Sequence, residues 1–161
     1  MRTTASVGGH PVHMMVVHFP MAFLMGSVAF DIGAAFGVAV PLVVSGYLLV
    51  AGLATGVLAA VPGAVDFVTS VRPRGGRQAN KAFRHAVLSM ASLGVFAFAW
   101  FQRRDVAAAP SMNVLLIEVL GVALLMISGL LGGSLVLEDR VGVAEHAASG
   151  DRDKDRSPIA V

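Results

Sequence analysis

Four long apolar blocks separated by short polar breaks make up most of the chain. They run over Val12–Ala35, Pro41–Val65, Ala82–Phe101 and Val114–Leu137. Each approaches or exceeds the ~20 apolar residues that a helix needs to cross a bilayer, and none alternates with the period of a strand. Because a segment in lipid must satisfy its own backbone polar groups, the pattern predicts an all-α protein, a bundle of four transmembrane helices with short connectors.

The remaining segments complete the predicted domain organisation. Residues 1–11 form an N-terminal segment, residues 12–137 the four-helix membrane domain, and residues 138–161 a C-terminal tail. The tail mixes charged with small residues and has almost no bulky apolar ones, which predicts a disordered segment.

Basic residues predict the orientation in the membrane. Of the twelve lysines and arginines, only Arg103 and Arg104 belong to the third connector. The other ten belong to the side that holds both termini and the second connector: Arg2, Arg72, Arg74, Arg77, Lys81, Arg84, Arg140, Arg152, Lys154 and Arg156. Since Lys and Arg concentrate in cytoplasmic loops, we expect both termini to be cytoplasmic.

Composition agrees with a membrane protein and excludes several chemistries. The chain is 56% hydrophobic and 14% charged, against about a quarter charged in soluble domains, and its mean hydropathy is +0.76. It has no cysteine, which excludes disulfides, thiolate nucleophiles, cysteine-ligated iron–sulfur clusters and covalent c-type haem. The net charge is only +2, so we expect no nucleic-acid partner.

Small residues recur at helical spacing in two of the blocks. The second block carries Gly52 and Gly56, followed by Gly63, and the fourth carries Gly121, Ser128 and Gly132. Rows of small residues let membrane helices approach each other closely. We interpret these rows as helix-packing positions.

Four histidines and a carboxylate are expected at one end of the bundle. His18 lies within the first two turns of the first helix, and His85 about one turn into the third, which starts on the same side. Asp66 ends the second helix on that side, and His10 and His13 flank the start of the first. Ionisable groups in membrane spans usually face the protein interior or a water-filled cavity, so this convergence is the main functional clue.

The helix faces that continue from His18 and His85 suggest an inward site. At steps of three and four residues, these faces hold small or soft side chains: Ala22, Met25 and Ala29 after His18, and Ser89, Ser92 and Phe96 after His85. Such faces would leave room for a flat ligand. The leading hypothesis is therefore a b-type haem with His18 and His85 as axial ligands to the iron, since helical bundles often build cofactor sites between facing helices.

Other roles for this cluster stay open. His10 and His13 are expected to be additional ligands or contacts to haem propionates or a quinone, and Asp66 to orient an imidazole. Alternatively, the histidines with Asp66 bind zinc or another divalent metal, relay protons, or line a quinone pocket. The simplest alternative is that interfacial histidines bond lipid headgroups and backbone carbonyls.

Two carboxylates occupy the other end of the bundle. Asp31 lies about 20 Å along a helix from His18, near the arginines that end the third helix, and the simplest interpretation is an Asp31–Arg ion pair. Glu118 lies about a turn and a half inside the fourth helix. Together the two carboxylates could form the far end of a proton or cation path, which is a weaker alternative function.

Four motifs stand out along the chain: HPVHMMVVHFPMAF leading to Asp31, PGAVDF, RHAVLSM and GLLGGSLVLEDRVGV. Together they resemble one bacterial membrane family, that of the domain of unknown function 2231, which implies a location in the inner membrane of a bacterium. The resemblance spans about residues 8 to 143 and implies a four-helix membrane domain, with His10, His13, His18, Asp31, Asp66 and His85 at motif positions. Some relatives carry a Rieske-type iron–sulfur domain, which suggests electron transfer. Met14 stands where relatives often have a proline.

The functional expectation is a small haem-binding electron-transfer subunit of a larger membrane complex. It would pass electrons between a quinone and a separate iron–sulfur or cytochrome partner. The alternative from another class is an accessory subunit without cofactor, packed against a redox or light-harvesting complex. A stand-alone catalyst is not indicated, because no nucleophile, base and orienting group fall together in the sequence.

Overall fold

The computed structural model describes residues 4–8, 10–103, 105 and 108–142. The helices are α1 (Val12–Val16), α2 (His18–Ala35), α3 (Leu42–Asp66), α4 (Gly76–Gln102) and α5 (Met112–Leu137). Ahead of them, β1 (Ser6–Val7) pairs antiparallel with β2 (His10–Pro11). The predicted all-α architecture is confirmed, apart from this short hairpin of two strands with two residues each. The predicted tail lies outside the described residues from position 143 onward.

Four segments are long and apolar enough to cross a membrane. The first span consists of α1 and α2 together and has 24 residues. The second consists of α3 and the turns that follow it. The third span is α4, with 27 residues, and the fourth is α5, with 26 residues. At about 1.5 Å per residue, even the shortest exceeds the ~30 Å hydrocarbon core. The four predicted spans are confirmed.

The first span is interrupted between α1 and α2. Val17 separates the two helices and bonds its N–H to the carbonyl of His13 at 2.9 Å. Pro20 follows, and because proline has no N–H, the carbonyl of Val16 loses its usual helical donor. The sequence predicted a single helical span over this block, and the proline explains why its hydrogen-bond ladder breaks.

The connector between the second and third spans is shorter than predicted. After Asp66 the chain continues through a π-helical turn (Phe67–Val71) and a 3-10 turn (Arg72–Arg74). Gly75 and Gly76 then reverse the chain with φ of +64° and +69°, a conformation that glycine adopts without steric cost. α4 starts at Gly76, well before the predicted Ala82, because a polar helical turn precedes the apolar block.

The bundle packs as two antiparallel pairs, α2 with α3 and α4 with α5, and contacts between α2 and α5 and between α3 and α4 join the pairs. Leu24, Val28, Leu49 and Phe96 form the central core. The small-residue rows allow this packing. At these rows a glycine meets a large side chain of another helix: Gly52 meets Leu24, Gly56 meets Leu93, and Gly121 meets Phe96. A Cβ at any of these glycines would lie within 3 Å of that side chain, so the packing interpretation is confirmed.

Candidate functional site

Two imidazole rings meet at the end of the bundle where the N-terminal segment lies. The rings of His13 in α1 and His85 in α4 stand edge to face, with centroids 6.2 Å apart and planes 79° apart. Both residues are half-buried. This histidine pair (His13 and His85) is the candidate functional site.

Contacts with α3 hold the ring of His13. Its Nδ1 lies 2.8 Å from the carbonyl oxygen of Ala59. The ring also packs on Gly63, where a Cβ would come within 2.8 Å of Nδ1. Only a residue without a side chain lets α3 approach the ring this closely.

Contacts with α5 hold the ring of His85 in the same manner. Its Nδ1 lies 2.9 Å from the carbonyl oxygen of Ser128 and 3.0 Å from the Ser128 hydroxyl. That hydroxyl also donates to the backbone carbonyl of His85 at 3.1 Å and lies 2.6 Å from the hydroxyl of Ser89. The ring packs on Gly132, where a Cβ would lie 2.9 Å from Cε1.

These contacts assign the same tautomer to both rings. A carbonyl oxygen only accepts hydrogen bonds, so each Nδ1 must carry the proton and donate. In a neutral imidazole the other nitrogen, Nε2, then keeps its lone pair. Histidines that ligate a metal commonly have this arrangement, in which one ring nitrogen binds the metal and the N–H of the other donates to a backbone carbonyl. The pair therefore presents two potential ligand nitrogens or proton acceptors.

His18 does not join this pair. Its side chain is exposed, as are Ala22, Met25 and Ala29 on the same helix face. The prediction that this face turns inward was wrong for the single chain. His13 lies in α1, before the break at Val17, and His18 begins α2 after it, so one side chain is half-buried while the other is exposed. The structure places His13, rather than His18, beside His85.

The face that continues from His85 does not leave open space either. Ser92 donates to the carbonyl of Gly121 at 2.8 Å, and Phe96 is fully buried in the central core. Ser89 bonds to Ser128. The expectation of room for a flat ligand along this face was wrong, because α5 packs directly on it.

The other two residues predicted for this cluster occupy its surroundings. His10 lies in β2, is exposed, and has its Nδ1 3.1 Å from the carbonyl of Gly8. Asp66 is buried and accepts a hydrogen bond from the backbone N–H of Ala5 at 2.7 Å. This bond fastens the N-terminal segment to the end of α3. The carbonyls of Ala59 and Ser128 orient the imidazoles instead.

Three charged groups form a second buried cluster at the opposite end of the bundle. Arg103 bonds Asp31 through both terminal nitrogens, Nη1 to Oδ2 at 2.8 Å and Nη2 to Oδ1 at 3.1 Å. Glu118 lies on the other side, with Oε1 3.6 Å from Nη1. The side chains of all three are at most 1% exposed. The predicted Asp31–Arg pair is confirmed with Arg103, whereas Arg104 lies outside the described residues.

Four residues of the site were not predicted to belong to it. Ala59 and Ser128 supply carbonyl oxygens, which every residue has, so no side-chain signal marks the acceptor. Gly63 and Gly132 carried a signal, because both belong to the small-residue rows. Those rows were interpreted as contacts between helices, but at these two positions the glycine accommodates an imidazole.

Within the described residues, no group of three or more His, Cys, Asp or Glu side chains is placed to hold a metal ion.

Comparison with known proteins identifies a family. No curated protein matches the chain, and no solved structure matches it. A family model described as "Predicted membrane protein (DUF2231)" matches residues 9–145, which is most of the chain. The chain therefore belongs to the DUF2231 family of predicted membrane proteins.

Proposed function

We propose that this protein is a haem-binding electron-transfer subunit in which His13 and His85 would hold a b-type haem. The observation that carries the proposal is the histidine pair itself. Two imidazoles on different helices stand 6.2 Å apart, each with Nδ1 committed to a backbone carbonyl. His13 replaces His18 in the original hypothesis, because the side chain of His18 is exposed.

The ligand chemistry of the pair, rather than open space beside it, supports a haem. Two imidazoles complete the protein ligand set of a b-type haem, whereas a structural zinc site takes four ligands. The glycines opposite the rings position the two imidazoles. Gly63 and Gly132 leave space that a Cβ would take from each imidazole, so the backbone holds both rings in fixed positions.

A haem bound there supplies reversible one-electron chemistry. The chain's own residues position it. The carbonyls of Ala59 and Ser128 keep the proton on each Nδ1 and so keep each Nε2 available as a ligand. The hydrogen bond from Ala5 to Asp66 holds the N-terminal segment against the end of α3.

Partners and location follow as further parts of this proposal. Electrons would pass between a quinone and a partner protein with an iron–sulfur or cytochrome centre, within a larger membrane complex. The bundle would lie in a bacterial inner membrane, with the histidine pair near the cytoplasmic face, because the basic residues concentrate at that end. His10, which is exposed in β2 three residues before His13, would contact a propionate or a quinone from the aqueous side.

The visible spectrum of the detergent-purified full chain, expressed with a supply of haem, tests this function. We expect a Soret band that shifts when dithionite is added, sharp α and β bands in the reduced protein, and about one iron per chain. A flat spectrum with stoichiometric zinc would overturn the haem proposal in favour of a metal site. A flat spectrum without metal would leave the accessory subunit as the better account.

A further inference from the structure

The buried charged cluster of Asp31, Arg103 and Glu118 has more negative than positive groups. Two carboxylates and one guanidinium carry a net charge of −1 when all three are ionised. The side chains of Asp31 and Glu118 are fully buried, and that of Arg103 is 1% exposed. An uncompensated charge in such surroundings is strongly disfavoured, because burial removes its solvation by water.

The hydrogen bonds divide unequally between the two carboxylates. Arg103 uses both terminal nitrogens on Asp31, in the bidentate geometry typical of a strong Arg–carboxylate pair. Glu118 has only the longer 3.6 Å contact with Nη1. Among the described residues, neither oxygen of Glu118 has a hydrogen-bond partner, although both are buried. Asp31 is therefore the satisfied carboxylate and Glu118 the unsatisfied one.

A proton on Glu118 removes both the excess negative charge of the cluster and the lack of a hydrogen bond at Glu118. Both carboxylates lie against the same nitrogen, Nη1 of Arg103, Asp31 Oδ2 at 2.8 Å and Glu118 Oε1 at 3.6 Å. Two carboxylates contain only acceptors, so a hydrogen bond between them needs a proton on one. When a Glu118 oxygen gains a proton from water, its charge changes from −1 to 0 and its O–H can donate to Asp31. The three groups then sum to zero charge.

We propose that Glu118 is a proton-binding site in the membrane-spanning part of the protein, with Asp31 and Arg103 as the ion pair that holds it. The charged groups that face Glu118 are Asp31 from α2 and Arg103 from the end of α4. The proton comes from the aqueous phase. The site is independent of the histidine pair, which lies at the other end of the bundle.

Infrared spectroscopy of the full chain labelled with ¹³C in the glutamate side-chain carboxyl tests the proposal. The chain has three glutamates, Glu118, Glu138 and Glu145, and the side chain of Glu138 is 65% exposed beside Lys81. At neutral pH we expect one protonated-carboxyl C=O band that shifts with the label and shifts further in D₂O. The band should vanish in Glu118→Gln and persist in the matched control Glu138→Gln.

Two results would overturn the proposal. They are the absence of a label-sensitive carboxyl band in the wild-type protein, and its persistence in Glu118→Gln. If Glu118→Gln does not fold, the double variant Glu138→Gln/Glu145→Gln decides, because Glu118 is then the only glutamate. A protonated band in that variant supports the site, and a carboxylate signal alone refutes it.

Discussion

The rings of His13 and His85 meet edge to face at 6.2 Å, although they belong to the first and third spans. Each ring is held by a helix other than its own, His13 by α3 and His85 by α5. All four spans therefore determine one arrangement, two by supplying the imidazoles and two by supplying the carbonyls and glycines that fix them. A substitution that shifts any of these helices is therefore expected to move the imidazoles of the histidine pair.

The glycine beneath His85 offers a direct test of this dependence. Gly132→Ala places a Cβ 2.9 Å from Cε1 of His85, so the ring must move or α5 must shift. Overpacking of this kind costs about 1–3 kcal/mol. We expect a lower melting temperature and weaker haem retention in Gly132→Ala, measured by thermal unfolding and by the Soret absorbance.

The neighbouring glycine provides the control. A Cβ at Gly133 meets nothing within 4 Å, so Gly133→Ala should match the wild type in both measurements. Equal losses in the two variants would show that helix packing in general, rather than the contact with His85, is responsible.

The ion pair at the opposite end makes a different prediction. Arg103→Met removes the cation from two buried carboxylates, and breaking a buried pair costs about 3–5 kcal/mol. We expect strong destabilisation in thermal unfolding, and partial recovery when Asp31→Asn is added. Arg77→Met is the control, because that arginine side chain is 83% exposed and exposed ion pairs contribute little. No recovery in the double variant would contradict a role based on charge.

Asp66 is predicted to fasten the N-terminal segment. Asp66→Ala removes the acceptor of the Ala5 N–H, so hydrogen exchange at that amide should accelerate. Asp66→Asn keeps an acceptor oxygen but loses the charge that strengthens the bond, and its exchange rate should fall between those of wild type and Asp66→Ala. Unchanged exchange in both variants would show that other contacts hold the segment.

The orientation can be tested because the chain has no native cysteine. Single cysteines at exposed Asn80, next to the basic connector, and at exposed Ala109, in the third connector, report on opposite ends of the bundle. In intact bacterial cells, a membrane-impermeant thiol reagent should label Ala109→Cys and spare Asn80→Cys, as the positive-inside rule predicts. After lysis both should react. The reverse pattern in intact cells would invert the proposed topology.

The fold could be predicted from the sequence because the helices are defined by long apolar blocks. The prediction of the helix bounds failed where polar residues are helical. Residues such as Arg77 and Lys81 were assigned to a connector, but they extend α4, and Lys81 pairs with Asp139 at 2.6 Å. A polar turn that emerges from an apolar block can remain helical, and the hydropathy pattern alone does not reveal it.

The site was harder to predict, for a related reason. In a helix that is apolar all round, periodicity does not show which face turns inward. Depth along the first helix therefore favoured His18 as the partner of His85, and the break near Val17 and Pro20 further uncoupled its orientation from that of His13. The Asp31–Arg103 pair was predictable because both groups were charged and fell at the same depth, which leaves few alternatives in a membrane.

The identity of the ligand histidines tests the central claim most directly. Oxidised and reduced spectra of His13→Ala, His85→Ala and His18→Ala should be compared at equal protein concentration. The account predicts that the first two lose the low-spin haem spectrum, that added imidazole restores it, and that His18→Ala retains it. Loss of the spectrum in His18→Ala with retention in His13→Ala would contradict the account.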